Sequence, residues 1–158
     1  MSSSPIRIAR LDTSHFEDLR ALHHEAFPVP WSDALLQDEL QASPDRVGLG
    51  AYCNSSLVGY VLARRLVDEV HIVSIATAPS LHRQGIATML MDSLRTEPQV
   101  AECERLLLEV RESNRAAIEF YLHEGFELLG KRPGYYADNG ESALVLSRRL
   151  FAEDTDSP

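Results

Sequence analysis

The sequence of 158 residues predicts an α+β fold, with helices packed on a mixed, mostly antiparallel sheet. Three observations give this. Three β-rich runs follow one another at residues 47–53, 57–67 and 70–77 with only short polar turns between them, the pattern of a meander. Segments with apolar residues at helical spacing stand before and after that meander. The second half then alternates strand, helix and two strands. Hydrophobic residues are 44% and charged residues 25%, both ordinary for a globular chain of single-domain size. No repeat and no linker divides it, so residues 1–151 are expected to form one domain and 152–158 a flexible acidic tail.

Each element has a local reason. Ile6 to Leu11 is a short first strand. Ser14 with Glu17 forms a capping-box pattern ahead of Phe16, Leu19 and Leu22, giving a helix to about Ala26. Phe27-Pro28-Val29-Pro30-Trp31 breaks it, and Ser32 caps a second helix with Leu35, Leu36 and Leu40 on one face. Asn54 to Ser56 and Asp68-Glu69 are the turns of the meander. A helix follows Gly85, with Ile86, Met89, Leu90 and Leu94 on one side and Glu97-Pro98-Gln99 at its end. Leu106 to Val110 is a buried type of strand; Asn114 to Leu122 is a helix that Gly125 terminates. Phe126 to Leu129 and Ala143 to Leu150 are the last two strands.

Charge and composition exclude several functions. A net charge of -9 argues against nucleic-acid binding, which needs basic surface to displace counterions, and suits a cationic peptide. Cys53 and Cys103 are too few and too distant for a zinc site or a redox pair, and are expected as reduced thiols. The six histidines, including His23-His24, have no metal-ligand spacing, so no metal is expected. No window reaches the ~18 apolar residues of a membrane span, and the N-terminus lacks an apolar run after its charges. The expected location is cytoplasmic, with no membrane partner.

The stretch LHRQGIATML, residues 81–90, carries the first chemical signal. A helix N-terminus has unpaired N–H groups and a partial positive charge, and a glycine beside it lets an anion approach. Arg83 adds a fork of donors suited to phosphate. Neither G-x-G-x-x-G nor a P-loop glycine-lysine pair is present.

His82 to Ala87 matches the [QR]-x-x-G-x-[GA] loop of the GNAT acetyltransferases except at its first position, where His82 replaces Gln or Arg. LEVRESNRAAIEFYLHEGF, residues 108–126, resembles the LEVR-x-SN-x-x-A-x-x-x-Y-x-x-x-GF run of the RimI-type branch of that family, which acetylates the N-terminal alanine of a ribosomal protein. AFPVPWS resembles that branch's AFPWS, VDEVHIVSIATAP its fourth strand, and RPGYYADNGESALVL its RxxYY segment and last strand. The resemblance covers nearly the whole chain and implies a GNAT fold and acetyl-CoA as co-substrate.

By this resemblance Arg83, Gln84, Gly85, Ile86, Ala87 and Thr88 form the pyrophosphate loop, Ile75, Ala76 and Thr77 offer backbone groups to the pantetheine arm, and Asn114 contacts that arm. Glu109 is the expected general base and Tyr121 the expected general acid. Read from residues alone, Glu109 is more readily a solvent-facing carboxylate on a half-buried strand, Tyr121 a core tyrosine beside Phe120, and Asn114 a helix cap, which is compatible with its contact to the arm. Trp31, Glu69, Tyr135 and Tyr136 are candidates for the acceptor side, and are as readily read as core packing or a solvated turn. Neither cysteine holds a motif position, so direct attack rather than an acetyl-cysteine is expected. The expected acceptor is a protein N-terminus, that of a ribosomal protein; lysine side chains or small-molecule amines are the alternative.

Overall fold

The computed structural model describes residues 5–82 and 84–151. Arg83 and the predicted tail, 152–158, lie outside the described residues. Among the described residues seven strands are present: β1 (Ile6–Arg10), β2 (Arg46–Cys53), β3 (Ser56–Leu66), β4 (Glu69–Thr77), β5 (Arg105–Arg111), β6 (Glu127–Arg132) and β7 (Ala143–Arg149). The helices are α1 (Phe16–Ala26), α2 (Asp33–Glu39), α3 (Ile86–Arg95), the short α4 (Pro98–Ala101) and α5 (Arg115–His123). Hydrogen bonding orders the strands β1-β2-β3-β4-β5-β7-β6. This is the mixed, mostly antiparallel sheet with flanking helices that the sequence predicts. The chain divides into two compact units: residues up to Arg65 with Ile72–Ala101, and Leu66–His71 with everything from Glu102 onward.

In the first unit, β1 pairs with β2 and β2 with β3, both antiparallel. β3 and β4 are neighbours joined by only two residues, a connection that suits antiparallel strands. β3 is buried from Val58 to Ala63, so both its faces are covered. α3 lies against it at Gly59. A Cβ there would stand 2.8 Å from Ile86 Cγ2 and 3.2 Å from Leu90 Cδ1, so the missing side chain sets how closely the helix approaches.

Three local expectations are corrected here. The side-chain cap at this point is Asp12, on the 3-10 turn that leads into α1, and not Ser14: the Asp12 carboxylate accepts from Ser14 N at 2.9 Å, and Asp12 N donates to His15 Nδ1 at 2.9 Å. Ser14 Oγ itself donates to Asp12, because a charged acceptor outcompetes a hydroxyl. Thr13–His15 forms a 3-10 turn and α1 proper begins at Phe16. In α2 the buried face is Leu36, Glu39 and Leu40, while Leu35 is exposed; Glu39 is buried because Arg64 pairs with it. In α3, Met91 joins Ile86, Leu90 and Leu94 in the core, and Met89 is only half-buried. Each step of four residues rotates the buried line by about 40°, which turns it toward Met91.

In the second unit the first three residues of β4 pair in parallel with β5, through Glu69↔Arg105, Val70↔Leu106 and His71↔Leu107. β7, last in sequence, pairs antiparallel with both β5 and β6. Leu106, Leu107, Leu108 and Val110 are all buried, so β5 is covered on both faces. β6 runs on to Arg132, beyond the expected Leu129, because a register shift between Leu128 and Gly130 lets Lys131 and Arg132 pair with β7.

α5 has the ends its sequence predicts. Asn114 Oδ1 accepts from Ala117 N at 3.2 Å. At the C-terminus Gly125, at φ 93, donates to Leu122 O, and Phe126 N donates to Tyr121 O. That pair of bonds is a Schellman motif, and the Tyr121–Phe126 ring contact at 5.5 Å supplies its apolar closure.

Candidate active site

The loop ahead of α3 belongs to the first unit. β4 ends at Thr77, Ala78 N donates to Val58 O at 2.8 Å, and Pro79–Leu81 makes one 3-10 turn. His82 and Gln84 are exposed. Gly85 is the residue preceding α3, at φ 79 and ψ 9, in the left-handed region. A Cβ built there meets no atom within 4 Å, so the dihedral and not crowding demands glycine. Gly85 O accepts from Met89 N at 3.0 Å, which starts the helical ladder. Ile86 is anchored in the core over Gly59, while Ala87 and Thr88 are half-buried. His82, Gln84 and Gly85 leave the start of α3 exposed, and an exposed helix N-terminus suits an anionic group such as the pyrophosphate of acetyl-CoA. Ile75, Ala76 and Thr77 are half-buried and lie past the last β4–β5 pair.

Trp31 is also in the first unit, half-buried in the segment between α1 and α2. Its backbone N donates to His23 Nε2 at 2.9 Å, and its ring lies 5.5 Å from the His23 ring.

The second unit holds the expected acid–base pair. Glu109, near the middle of β5, has a side chain 21% exposed and pairs with Arg132 Nε at 3.2 Å. Arg132 also lies over the Tyr135 ring, 5.6 Å from its centroid. Tyr135 and Tyr136 meet edge to face at 5.0 Å. Tyr136 takes the Arg111 guanidinium 3.9 Å over its ring, and Arg111 pairs with Asp138 at 2.8 Å and Glu141 at 3.4 Å. Glu141 Oε2 in turn accepts from Ser113 N at 2.6 Å. Burial, more than the opposing pull of Arg111, raises the Tyr136 phenol, and Glu109 adds to the rise. The structure therefore gathers Glu109, Tyr135 and Tyr136 into one cluster on β5 and the β6–β7 loop.

Tyr121 is buried between Phe120 and Phe126, at ring distances of 5.2 and 5.5 Å. Desolvation pushes its phenol well above the usual tyrosine value, so it stays protonated. Glu69 stands apart from the cluster: it pairs with Arg105 at 3.8 Å, and Arg105 precedes Glu109 by four residues on β5, about 13 Å of strand.

Sequence reasoning missed Arg132, Arg111 and His23. Arg132 reads as a loop residue until β6 pairs with β7, and Arg111 reads as a generic charge at a strand end. His23 sits at helical spacing with Leu19 and Leu22, a signal of burial that the neighbouring His24 masks. Among the described residues no group of three His, Cys, Asp or Glu side chains is placed to hold a metal. Neither cysteine is in a disulfide. Among the described residues no helix is long and apolar enough to cross a membrane.

Comparison with known proteins bears on the family and the fold. Residues 16–126 match the model of the Acetyltransferase (GNAT) family. The chain is 31% identical over 146 residues to a candidate ribosomal protein bS18-alanine N-acetyltransferase of Bacillus subtilis, covering 92% of this chain and 95% of that protein. It is 36% identical over 113 residues to an N-alpha-acetyltransferase of Saccharolobus solfataricus, covering 63% and 67%. The crystal structure of the ribosomal-protein-S18-alanine N-acetyltransferase from Escherichia coli superposes with a TM-score of 0.84 at 25% identity, covering 95% of this chain and 98% of that one. The chain belongs to the GNAT family of acetyltransferases.

Proposed function

We propose that this protein transfers the acetyl group of acetyl-CoA to the α-amino group of a protein N-terminus, with the N-terminal alanine of a ribosomal protein in the cytoplasm as the acceptor. The observation that carries this reading is Glu109: a half-buried carboxylate on β5, paired with Arg132, in a chain whose near-full-length relatives include N-terminal alanine acetyltransferases.

Acetyl-CoA supplies the thioester, and the loop from Arg83 to Thr88 holds its pyrophosphate. Ile75, Ala76 and Thr77 offer backbone groups to the pantetheine arm. Asn114 both caps α5 and reaches that arm through its amide N–H. An α-amino group has a pKa of about 8, so at neutral pH most of it carries a proton that blocks attack. Glu109 removes that proton. The amine nitrogen then bonds to the acetyl carbon, the carbon–sulfur bond breaks, and the nitrogen loses its second proton, which replaces the one delivered to sulfur, leaving an amide and the thiol of CoA. Tyr121 faces the departing sulfur. Tyr121 acts as the general acid, its phenol giving a proton to that sulfur as the carbon–sulfur bond breaks. Trp31, Tyr135 and Tyr136 wall the acceptor. Glu69, held by Arg105, has the least part in it.

The fold alone does not choose the acceptor. A mass-spectrometric screen with N-terminal peptides, internal-lysine peptides and small amines tests the choice. Acetylation of the alanine-starting ribosomal peptide at its α-amino group is expected. Modification of only lysine side chains or small amines would overturn the reading in favour of a different acceptor.

A further inference from the structure

A buried polar chain runs through the first unit and has no part in the reaction described above. Trp31 N donates to His23 Nε2 at 2.9 Å; His23 Nδ1 is 2.8 Å from Tyr60 Oη; Tyr60 Oη is 2.9 Å from Ser74 Oγ. His23, Tyr60 and Ser74 are 2%, 0% and 8% exposed, so none of the three has solvent to fall back on. Such a network is worth its desolvation only if every member is satisfied.

The donors and acceptors fix its direction. A backbone N–H can only donate, so His23 Nε2 must be the unprotonated nitrogen. Nδ1 therefore carries the proton and donates to Tyr60 Oη, and the Tyr60 hydroxyl donates to Ser74 Oγ. Burial first, and the neighbouring His24 second, hold the imidazole below its usual pKa and so in this neutral form. The ring is also gripped by Phe27 at 4.9 Å and Trp31 at 5.5 Å, the two aromatic ends of the segment between α1 and α2.

That segment is AFPVPWS, two residues longer than the AFPWS it resembles. Two prolines restrict it but also remove backbone donors that could tie it down. Ser74, at the other end of the chain of bonds, immediately precedes Ile75, Ala76 and Thr77 on β4.

We propose that His23 is a positioning residue: through Tyr60 and Ser74 it fixes the Phe27–Trp31 segment to the strand that carries Ile75, Ala76 and Thr77, and so sets acceptor affinity. The inference rests on the N-terminal acetyltransferase reading for its choice of acceptor, but not for the anchoring itself.

Trp31 is the only tryptophan, so its fluorescence reports the segment without any substrate. Three variants divide the outcomes. His23→Leu removes both bonds, Tyr60→Phe removes the second link, and His23→Gln keeps one acceptor and one donor on a single amide. The expected result is a several-fold rise in acrylamide quenching of Trp31 for His23→Leu, a smaller rise for Tyr60→Phe, and near-wild-type quenching for His23→Gln. KM for the acceptor peptide should rise about tenfold in His23→Leu, with kcat changed less than twofold and acetyl-CoA affinity unchanged. Folded His23→Leu with wild-type quenching, or with wild-type acceptor KM, would overturn the proposal. So would an equal loss of kcat in all three variants without a change in KM, since that is the mark of general destabilisation. If the wild-type protein acetylates no N-terminal peptide, the functional reading fails instead, and the quenching series still decides the anchoring.

Discussion

The polar groups around His23 and those around Glu109 are built on opposite principles. His23, Tyr60 and Ser74 are neutral, buried and joined end to end, so each bond requires the next. Glu109 with Arg132, and Arg111 with Asp138 and Glu141, form two separate sets of partly exposed ion pairs, so the loss of one pair leaves the others standing. A dry neutral chain fixes geometry and gains nothing from mobile charge. A wetter ionic cluster tolerates a proton coming and going, which is what a base must do. The difference separates a part that holds position from a part that does chemistry, and four measurements bear on it.

The largest effect is expected at Glu109. Glu109→Gln keeps the shape and removes the base, so kcat should fall by about 10²–10⁴-fold. Acetyl-CoA affinity, measured by calorimetry, should hold, because no step in binding uses that carboxylate. Unchanged kcat would move the chemistry out of the ionic cluster. Next is Tyr121→Phe. Phe120 and Phe126 still pack against the ring, so the thermal midpoint should stay near wild type while kcat falls about 10²-fold. A large drop in the midpoint with intact kcat would make Tyr121 a core residue alone.

Arg132→Gln should be milder. The Arg132 side chain is 54% exposed, and such a pair contributes within about 1 kcal/mol, or about fivefold in kcat/KM. Added salt should weaken the wild-type pair and leave the variant unmoved. A much larger loss would show that Arg132 orients the base and does not merely accompany it.

The smallest effects are in pH-dependent stability, where the two regions should separate. The folded pKa of His23 lies below its ordinary ~6.5, so its contribution is full above that value and is lost as pH falls toward the folded value, because the unfolded chain takes the proton first. Asp138, lowered chiefly by its hydrogen bond to Arg111, and Glu141, lowered chiefly by Ser113, lie below their ordinary ~3.9 and ~4.3. Their contribution is present above those values and lost only as pH falls through the folded ones. Thermal melts from pH 7 to 3 should therefore show one loss starting near 6.5 and a second below about 4. His23→Gln should erase the first and keep the second.

Element by element, the sequence was most legible where one turn of chain decides the outcome. Ser32 caps α2 and Asn114 caps α5 as read, and Gly125 ends α5 with the bonds its position implies. The errors are also local, but each was decided from outside. Leu35 yields its place in the core to Glu39 because Arg64, 25 residues on, arrives to pair with that carboxylate. Met91 displaces Met89 because the sheet selects one face of α3, and Gly59 brings that face close. Asp12 displaces Ser14 as a cap because its carboxylate takes both the Ser14 N–H and the Ser14 hydroxyl, which turns that hydroxyl away from the helix.

The sequence by itself determined the strands, every helix but the short α4, most helix ends, the left-handed glycine before α3 and the family, since all of these reside in residues a few positions apart. Tertiary structure alone decided that β7 lies between β5 and β6, which draws β6 out to Arg132 and sets that guanidinium on Glu109, 23 residues earlier. It also decided that His23 meets Tyr60, 37 residues away. The physical reason is the same in both. Periodicity and capping record what the backbone does within a turn, whereas a partner's arrival across a sheet depends on a register set by every pair in the ladder.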